Sequence, residues 1–299
     1  MAWPVRGWRL GSLVGLAMVV IGLGVFAGLR LASFPEEPDV TYGLADGQPL
    51  LLDIYRPRGL KSTRPGVILI HGGGWVEGNK SSQRELANSL TEAGYVAIAV
   101  GYRLARDDRS RYPAQADDVR QAVRWVRSNA AYVGIDPDRL GVFGHSAGGH
   151  LAALLGTTDL PPPAGTSLRS PSSRATCVVD CCGPTDFTDE TSPPVGPSIA
   201  DVIPRFFGKT RREAPEAYRD ASPVSHVDAL SAPTLIIHGT SDQIVPIDQS
   251  RKLRDALQQA RVEVKLVELE GEGHLFQAPG SKNKMLLETL EFFRRHLKP

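Results

Sequence analysis

The chain has 299 residues, 41% of them hydrophobic and 22% charged, enough for one large α/β domain with a substantial buried core. A formal net charge of +1 gives neither a basic field for nucleic acid nor an acidic one for cationic partners, which disfavours polyanion binding. Three cysteines, Cys177, Cys181 and Cys182, crowd into six residues. Their odd number and spacing fit neither a disulfide framework nor a metal-ligand set, so they read as small buried apolar side chains. No metal or organic cofactor is implied.

At the N-terminus, twenty uncharged residues run from Leu10 to Leu29, as a helix about 30 Å long, the thickness of a hydrocarbon core. Trp3 and Trp8 suit an interface, and Arg6 and Arg9 before the run against Glu36, Glu37 and Asp39 after it place the bulk of the chain outside the cytoplasm. The run is longer than the apolar part of an ordinary signal peptide. An uncleaved membrane anchor over residues 1–32 is therefore expected, with a cleaved export signal as the alternative. Pro35 and Pro38 mark residues 33–39 as a linker, and residues 40–299 form the folded domain.

Residues 40–43 and 50–55 read as two strands around an Asp46-Gly47 turn, an antiparallel edge. The continuous apolar runs 66–70 and 95–100 are of the kind found in strands buried on both faces, and the segment 81–93 between them has helical spacing. Pro113 opens a longer helix that ends before Gly134. Asp136-Pro137-Asp138 then turns the chain into the strand 140–144, and a helix follows Ser146. A Pro/Ser-rich stretch, 159–173, reads as an exposed insertion. After a buried strand at 177–182, residues 183–228 look irregular and could form a small cap carrying Phe206, Phe207 and Tyr218. Residues 234–237 and 262–269 are the last strands, with helices at 248–260, where Asp248 is placed to cap, and at 281–297. Strands alternating with helices, without a fixed repeat, predict an α/β fold with a mostly parallel central sheet covered on both faces.

The chemistry centres on Gly144-His145-Ser146-Ala147-Gly148, a G-x-S-x-G between strand and helix, where near-absent side chains on either side allow a tight turn that exposes the serine hydroxyl. Such a serine needs a base, and the base an orienting carboxylate. Among seven histidines, His274 stands out, because Glu270-Gly271-Glu272-Gly273 places it in a loop directly after the last strand. Asp242 follows the preceding strand, and Asp180 and Asp186 are alternatives. The glycines of His71-Gly72-Gly73-Gly74-Trp75 let the N–H groups of Gly73 and Gly74, with that of Ala147, approach an oxyanion. The rival reading, a phosphate loop, lacks the Lys-Ser/Thr of a P-loop and the G-x-G-x-x-G spacing.

Taken together, HGGGW, YRLA at 102–105, DPDRLGVFGHSAGGHLA, HGTSDQIVP and GHLF resemble the α/β-hydrolase carboxylesterases of the hormone-sensitive-lipase and BD-FAE type, over residues 40 to the end. The resemblance implies a serine esterase with Ser146 as nucleophile, His274 as base and acid, Asp242 as orienter, and an acyl-enzyme intermediate. His145 stands where hormone-sensitive-lipase members usually have Asp, and Tyr102 where an acidic residue or Asn is usual; both lean toward BD-FAE. No long N-terminal lid is marked, so short-acyl esters are the expected substrates. An arylformamidase-like amidase or exopeptidase is the neighbouring reading, and a membrane-tethered module with a vestigial site a third. The sequence leaves the oligomeric state open.

Overall fold

The structure, a computed structural model, describes residues 35–59, 63–161, 171–191, 193–196 and 200–298. The chain divides into Met1–Ala32 and Ser33–Pro299. The expected anchor or export segment lies outside the described residues, as does most of the Pro/Ser-rich insertion. Among the described residues no helix is long and apolar enough to cross a membrane.

Eight strands form one sheet: β1 (Glu37–Ala45), β2 (Gln48–Tyr55), β3 (Arg64–Ile70), β4 (Val96–Val100), β5 (Ile135–His145), β6 (Cys177–Cys181), β7 (Thr234–Gly239) and β8 (Val264–Leu269), in the order β1-β2-β4-β3-β5-β6-β7-β8. β1 and β2 are antiparallel around Asp46 and Gly47, both at positive φ, as a tight hairpin requires, and β2 joins β4 antiparallel. Every later pairing is parallel, so β3, β5, β6, β7 and β8 all end at the same edge. That edge is where ligands meet open α/β sheets.

The apolar strands are buried on both faces because helices cover both. One face holds Ile68, Ile70, Val142 and Val178 against α2 (Ala114–Ser128) and α4 (Ala147–Thr157). The other holds Val67, Leu69, Phe143 and Val179 against α1 (Arg84–Glu92) and α8 (Pro279–Leu297). Residues such as Ile68 and Leu69 are fully buried, each worth about 1.5–3 kcal/mol of hydrophobic stabilisation. α7 (Asp248–Gln259) packs Leu253 and Leu257 near Ile236 beside the first face.

Three local expectations change. The turn at 136–138 is an irregularity inside β5: Ile135 pairs with Arg64 and Leu140 with Gly66, so five residues advance against two. The helix after Pro113 breaks at Asn129 into α2 and a short α3 (Ala130–Val133), which Gly134 ends in the left-handed conformation that glycine favours. Residues 183–228 are not wholly irregular. They hold α5 (Val202–Phe207), α6 (Pro215–Asp220) and a 3-10 turn (Pro223–His226), short elements whose periodicity is masked by Pro and whose order comes from buried aromatics. The cysteines are free and buried, as expected.

Candidate active site

Ser146 is the single residue between β5 and α4. Its backbone, φ 57° and ψ −123°, lies where a non-glycine residue pays about 1–3 kcal/mol. The neighbouring glycines show why the turn is so tight: a Cβ on Gly144 would stand 2.0 Å from the Gly148 oxygen, and one on Gly148 2.2 Å from the Ile70 oxygen. Strand, helix and the β3 terminus meet with no room for a side chain. The Ser146 N–H donates to the Cys181 oxygen at 2.8 Å, tying the turn to β6.

The loops after β7 and β8 are laced together by two backbone bonds, Thr240 N–H to Leu269 O (3.0 Å) and Ser241 N–H to Glu272 O (2.9 Å). They deliver Asp242 and His274 to one place. His274 Nδ1 donates to Asp242 Oδ2 at 2.7 Å, and the Ser146 hydroxyl donates to His274 Nε2 at 2.8 Å. The carboxylate fixes this tautomer, since an acceptor at Oδ2 needs the proton on Nδ1. Asp242 Oδ1 accepts the N–H groups of Ile244 (2.8 Å) and Val245 (2.9 Å), and His238 Nε2 lies 3.1 Å from Oδ2. Burial pushes the Asp242 carboxyl up, but the bonds from His238 and His274, the charge of His274 and the Val245 N–H outweigh it. They hold the group well below the ordinary carboxylate range.

His145, the residue before the serine, donates from Nε2 to the His274 carbonyl oxygen at 3.0 Å, with the Cys182 sulfur 3.3 Å from the same nitrogen. Burial, then the charge of His274, brings His145 down to about 4. Its neutral ring thus pins the backbone of the His274 loop.

The loop after β3 runs against this turn. A Cβ on Gly72 would lie 2.9 Å from the His145 oxygen and 3.3 Å from Ser146 Cβ. Gly73 and Gly74 have φ of 115° and 57°, open to glycine alone without strain. The Gly73 oxygen is turned back to accept Val76 and Glu77 N–H groups at 3.1 and 3.0 Å. Ala147 begins α4, so its N–H has no partner inside the helix. Trp75, at φ 61°, is fixed by Ala105 N–H to Trp75 O (2.8 Å), by a stack on Phe206 at 4.1 Å, and by His150. The cap is therefore seated on this loop, with α5 close enough that a Cβ on Gly74 would meet Val202 Cγ2 at 2.8 Å.

The structure brings Ser146, Asp242 and His274 into one hydrogen-bonded chain, with Ala147 next in sequence and Gly72, which leads into Gly73 and Gly74, against the serine turn. The alternative acids are elsewhere engaged. Asp180 is buried with one oxygen accepting the Gly183 N–H at 2.9 Å, and burial pushes it up to about 6; Asp186 pairs with Lys252 at 3.0 Å. Asp248 does not cap α7: it is the first helical residue and pairs with Arg251 at 3.3 Å. His226 bonds the Asp220 oxygen and His296 packs on Phe292. Sequence reasoning missed the parts played by His238 and His150, which it placed only on a strand terminus and on a helix. The HG-x-x-D spacing was the available signal for His238.

Fold and site geometry define an α/β-hydrolase in which a serine turn faces a histidine–aspartate pair. Comparison with known proteins agrees. The chain belongs to the BD-FAE family, whose model matches residues 52–257. It is 33% identical over 253 residues to the probable carboxylic ester hydrolase LipM of Mycobacterium tuberculosis, covering 83% of this chain and 58% of that protein. It is 34% identical over 258 residues to the esterase LipC of the same organism, covering 84% and 62%. The chain thus spans about three-fifths of the length of these relatives. Among solved structures, a truncated carbohydrate esterase from gut microbiota superposes with a TM-score of 0.75 at 30% identity, over 88% of this chain and 96% of that one. Butyrate-bound esterase 2 of Thermogutta terrifontis gives 0.76 at 28% identity, over 90% and 97%.

Proposed function

We propose that the chain hydrolyses short-acyl carboxylic esters through an acyl-enzyme on Ser146. The observation that carries this is the unbroken chain from Ser146 Oγ through His274 to Asp242 at the working edge of the sheet. Ser146 Oγ attacks the ester carbonyl carbon while His274 Nε2 takes its proton. The N–H groups of Gly73, Gly74 and Ala147 receive the negative charge on the carbonyl oxygen, which in a water-poor site is the largest single contribution to rate. Collapse expels the alcohol, protonated by His274, and a water activated by the same nitrogen then releases the acid. Asp242 stays ionised throughout and stabilises the imidazolium.

Two observations support a small acyl group. Trp75, Phe187 and Phe206 fill the space between the glycine loop and the cap, and esterase 2 of T. terrifontis, similar in fold, has been solved with propionate and with butyrate bound. We also propose, from the sequence of residues 1–32, that the domain is exported, tethered by an uncleaved segment or released after cleavage. Fractionation of producing cells reads this directly: catalytic domain found only in the cytosol would end that reading.

The central test is turnover of 4-nitrophenyl esters of graded acyl length by the full chain. Activity should peak at acetate to butyrate, and Ser146→Ala should lower kcat by about 10⁴-fold or more while abolishing labelling by a fluorophosphonate. Full activity in that variant would remove Ser146 from the mechanism. A chain that labels yet cleaves N-formyl amides in preference to esters would move the assignment to the amidases.

A further inference from the structure

We propose that His238 is a positioning residue for the Ser146–His274–Asp242 chain, acting as a second imidazole on the same carboxylate oxygen that orients His274. This rests on the esterase reading above. His238 is the penultimate residue of β7, four residues before Asp242, and is fully buried. Its Nε2 lies 3.1 Å from Asp242 Oδ2 and 2.9 Å from the Val245 oxygen. Both are acceptors, so Nε2 must carry a proton in this arrangement. On the far side of the ring, Nδ1 meets the Ser250 hydroxyl of α7 at 2.6 Å. The ring is held at both nitrogens and has no freedom to turn.

Two consequences follow from where that proton points. The first is geometric. Residues 242–245 fold back on the aspartate through its bonds to Ile244 and Val245, and His238 grips both the carboxylate and the Val245 carbonyl. It thereby holds the orientation of Oδ2 toward His274. The second is electrostatic. A charge-assisted donor on Oδ2 withdraws negative charge from the atom that would otherwise retain the His274 proton most strongly. Removing that donor leaves the full negative charge of Oδ2 facing His274.

The surrounding ionisable groups are Asp180 on β6, His145 on β5 and Cys182 just after β6, together with Glu268 on β8, itself bonded to Arg251 of α7 at 3.0 Å. None of them replaces the lost donor on Oδ2, so the effect of removing His238 can be read in the pH profile.

The experiment compares His238→Leu and His238→Gln with the wild-type chain, using 4-nitrophenyl acetate over a pH series. Leu fills the space without a donor. Gln can return an N–H near the position of Nε2. In the Leu variant kcat should fall about tenfold, the equivalent of one such bond, with KM nearly unchanged, and the acid limb of kcat/KM should move up by about half a pH unit or more. The Gln variant should bring the limb back toward that of the wild type. A folded Leu variant whose acid limb stays in place overturns the assignment, since a merely structural histidine would lower the melting point without moving the limb. If the Leu variant does not fold, NMR of the wild-type chain labelled with ¹⁵N-histidine decides. The proton on His238 Nε2, identified by its loss in the Gln variant, should shift as His274 titrates, and a resonance indifferent to that titration overturns the proposal. Failure of the wild-type chain to cleave any ester would count against the esterase function instead, and the two failures are read separately.

Discussion

The indole N–H of Trp75 donates to Nδ1 of His150 at 3.1 Å, and the opposite nitrogen of His150 donates to the Ala221 oxygen at 2.7 Å. One buried imidazole therefore joins the glycine loop, the first turn of α4 and the end of α6. The ring can do this only when neutral, because Nδ1 must accept, and burial accordingly brings it down to about 3.

Replacing His150 by Leu leaves a buried indole N–H and a buried carbonyl unpaired at similar side-chain volume. Each orphan costs about 1–3 kcal/mol, so urea denaturation should show a loss of about 2–6 kcal/mol, with a concurrent fall in kcat as Trp75 and its glycines loosen. A variant as stable as the wild type would show that neither bond is maintained in solution.

The pH dependence of stability follows from three buried groups. His145 and His150, at about 4 and 3 in the fold, both take up protons on unfolding between about 4 and 6.5. Asp180 works in the opposite sense: raised to about 6 in the fold, it releases a proton on unfolding between about 4 and 6. In that window unfolding takes up two protons and releases one, so stability should rise with pH by about 1.4 kcal/mol per unit. Asp180→Asn removes the opposing group and should about double the slope. Calorimetry at pH 4, 5 and 6 on both proteins measures it, and parallel curves would contradict the burial of Asp180 as an acid.

His145→Asp restores the residue usual in the hormone-sensitive-lipase type, and here it should be harmful. A carboxylate would replace an N–H donor facing the His274 carbonyl oxygen, acceptor against acceptor, and the loop carrying the base would lose its anchor. A kcat reduced about tenfold is expected by steady-state kinetics; an unchanged kcat would mean that the His274 loop is held well enough by its bonds to Thr240 and Ser241.

The glycines are not equivalent. Gly148→Ala drives a Cβ to 2.2 Å from backbone at Ile70, where no flexible side chain can yield, and should cost about 3 kcal/mol or more. Gly273→Ala, directly before His274, meets nothing within 4 Å and should change the melting point little. Thermal melts of the two variants compare them, and similar losses would refute the distinction.

Much of this was legible in the sequence, because the parallel strands are short apolar runs closed by glycine and each functional side chain sits just beyond such a run. Ser146, Asp242 and His274 were therefore expected in that chain order, and the structure joins the three side chains by hydrogen bonds. What escaped notice depended on contacts between distant segments. His150 and His238 look unremarkable in sequence, and their parts emerge only when Trp75, Ala221, Asp242 and Ser250 arrive from other elements. The helices of 183–228 were hidden for a related reason: Pro204, Pro215 and Pro223 break any regular pattern, and the order there comes from stacking such as that of Phe207 on Tyr218 at 3.8 Å.

The shared direction of β3, β5, β7 and β8 divides the molecule into a working edge and an idle one. Every group assigned a chemical task emerges where these strands finish. The opposite ends, where Ser231–Pro233 leads into β7 and Ala260–Glu263 into β8, carry none of them. Substitutions at the idle edge reach the chemistry only through the strands that carry it across the sheet.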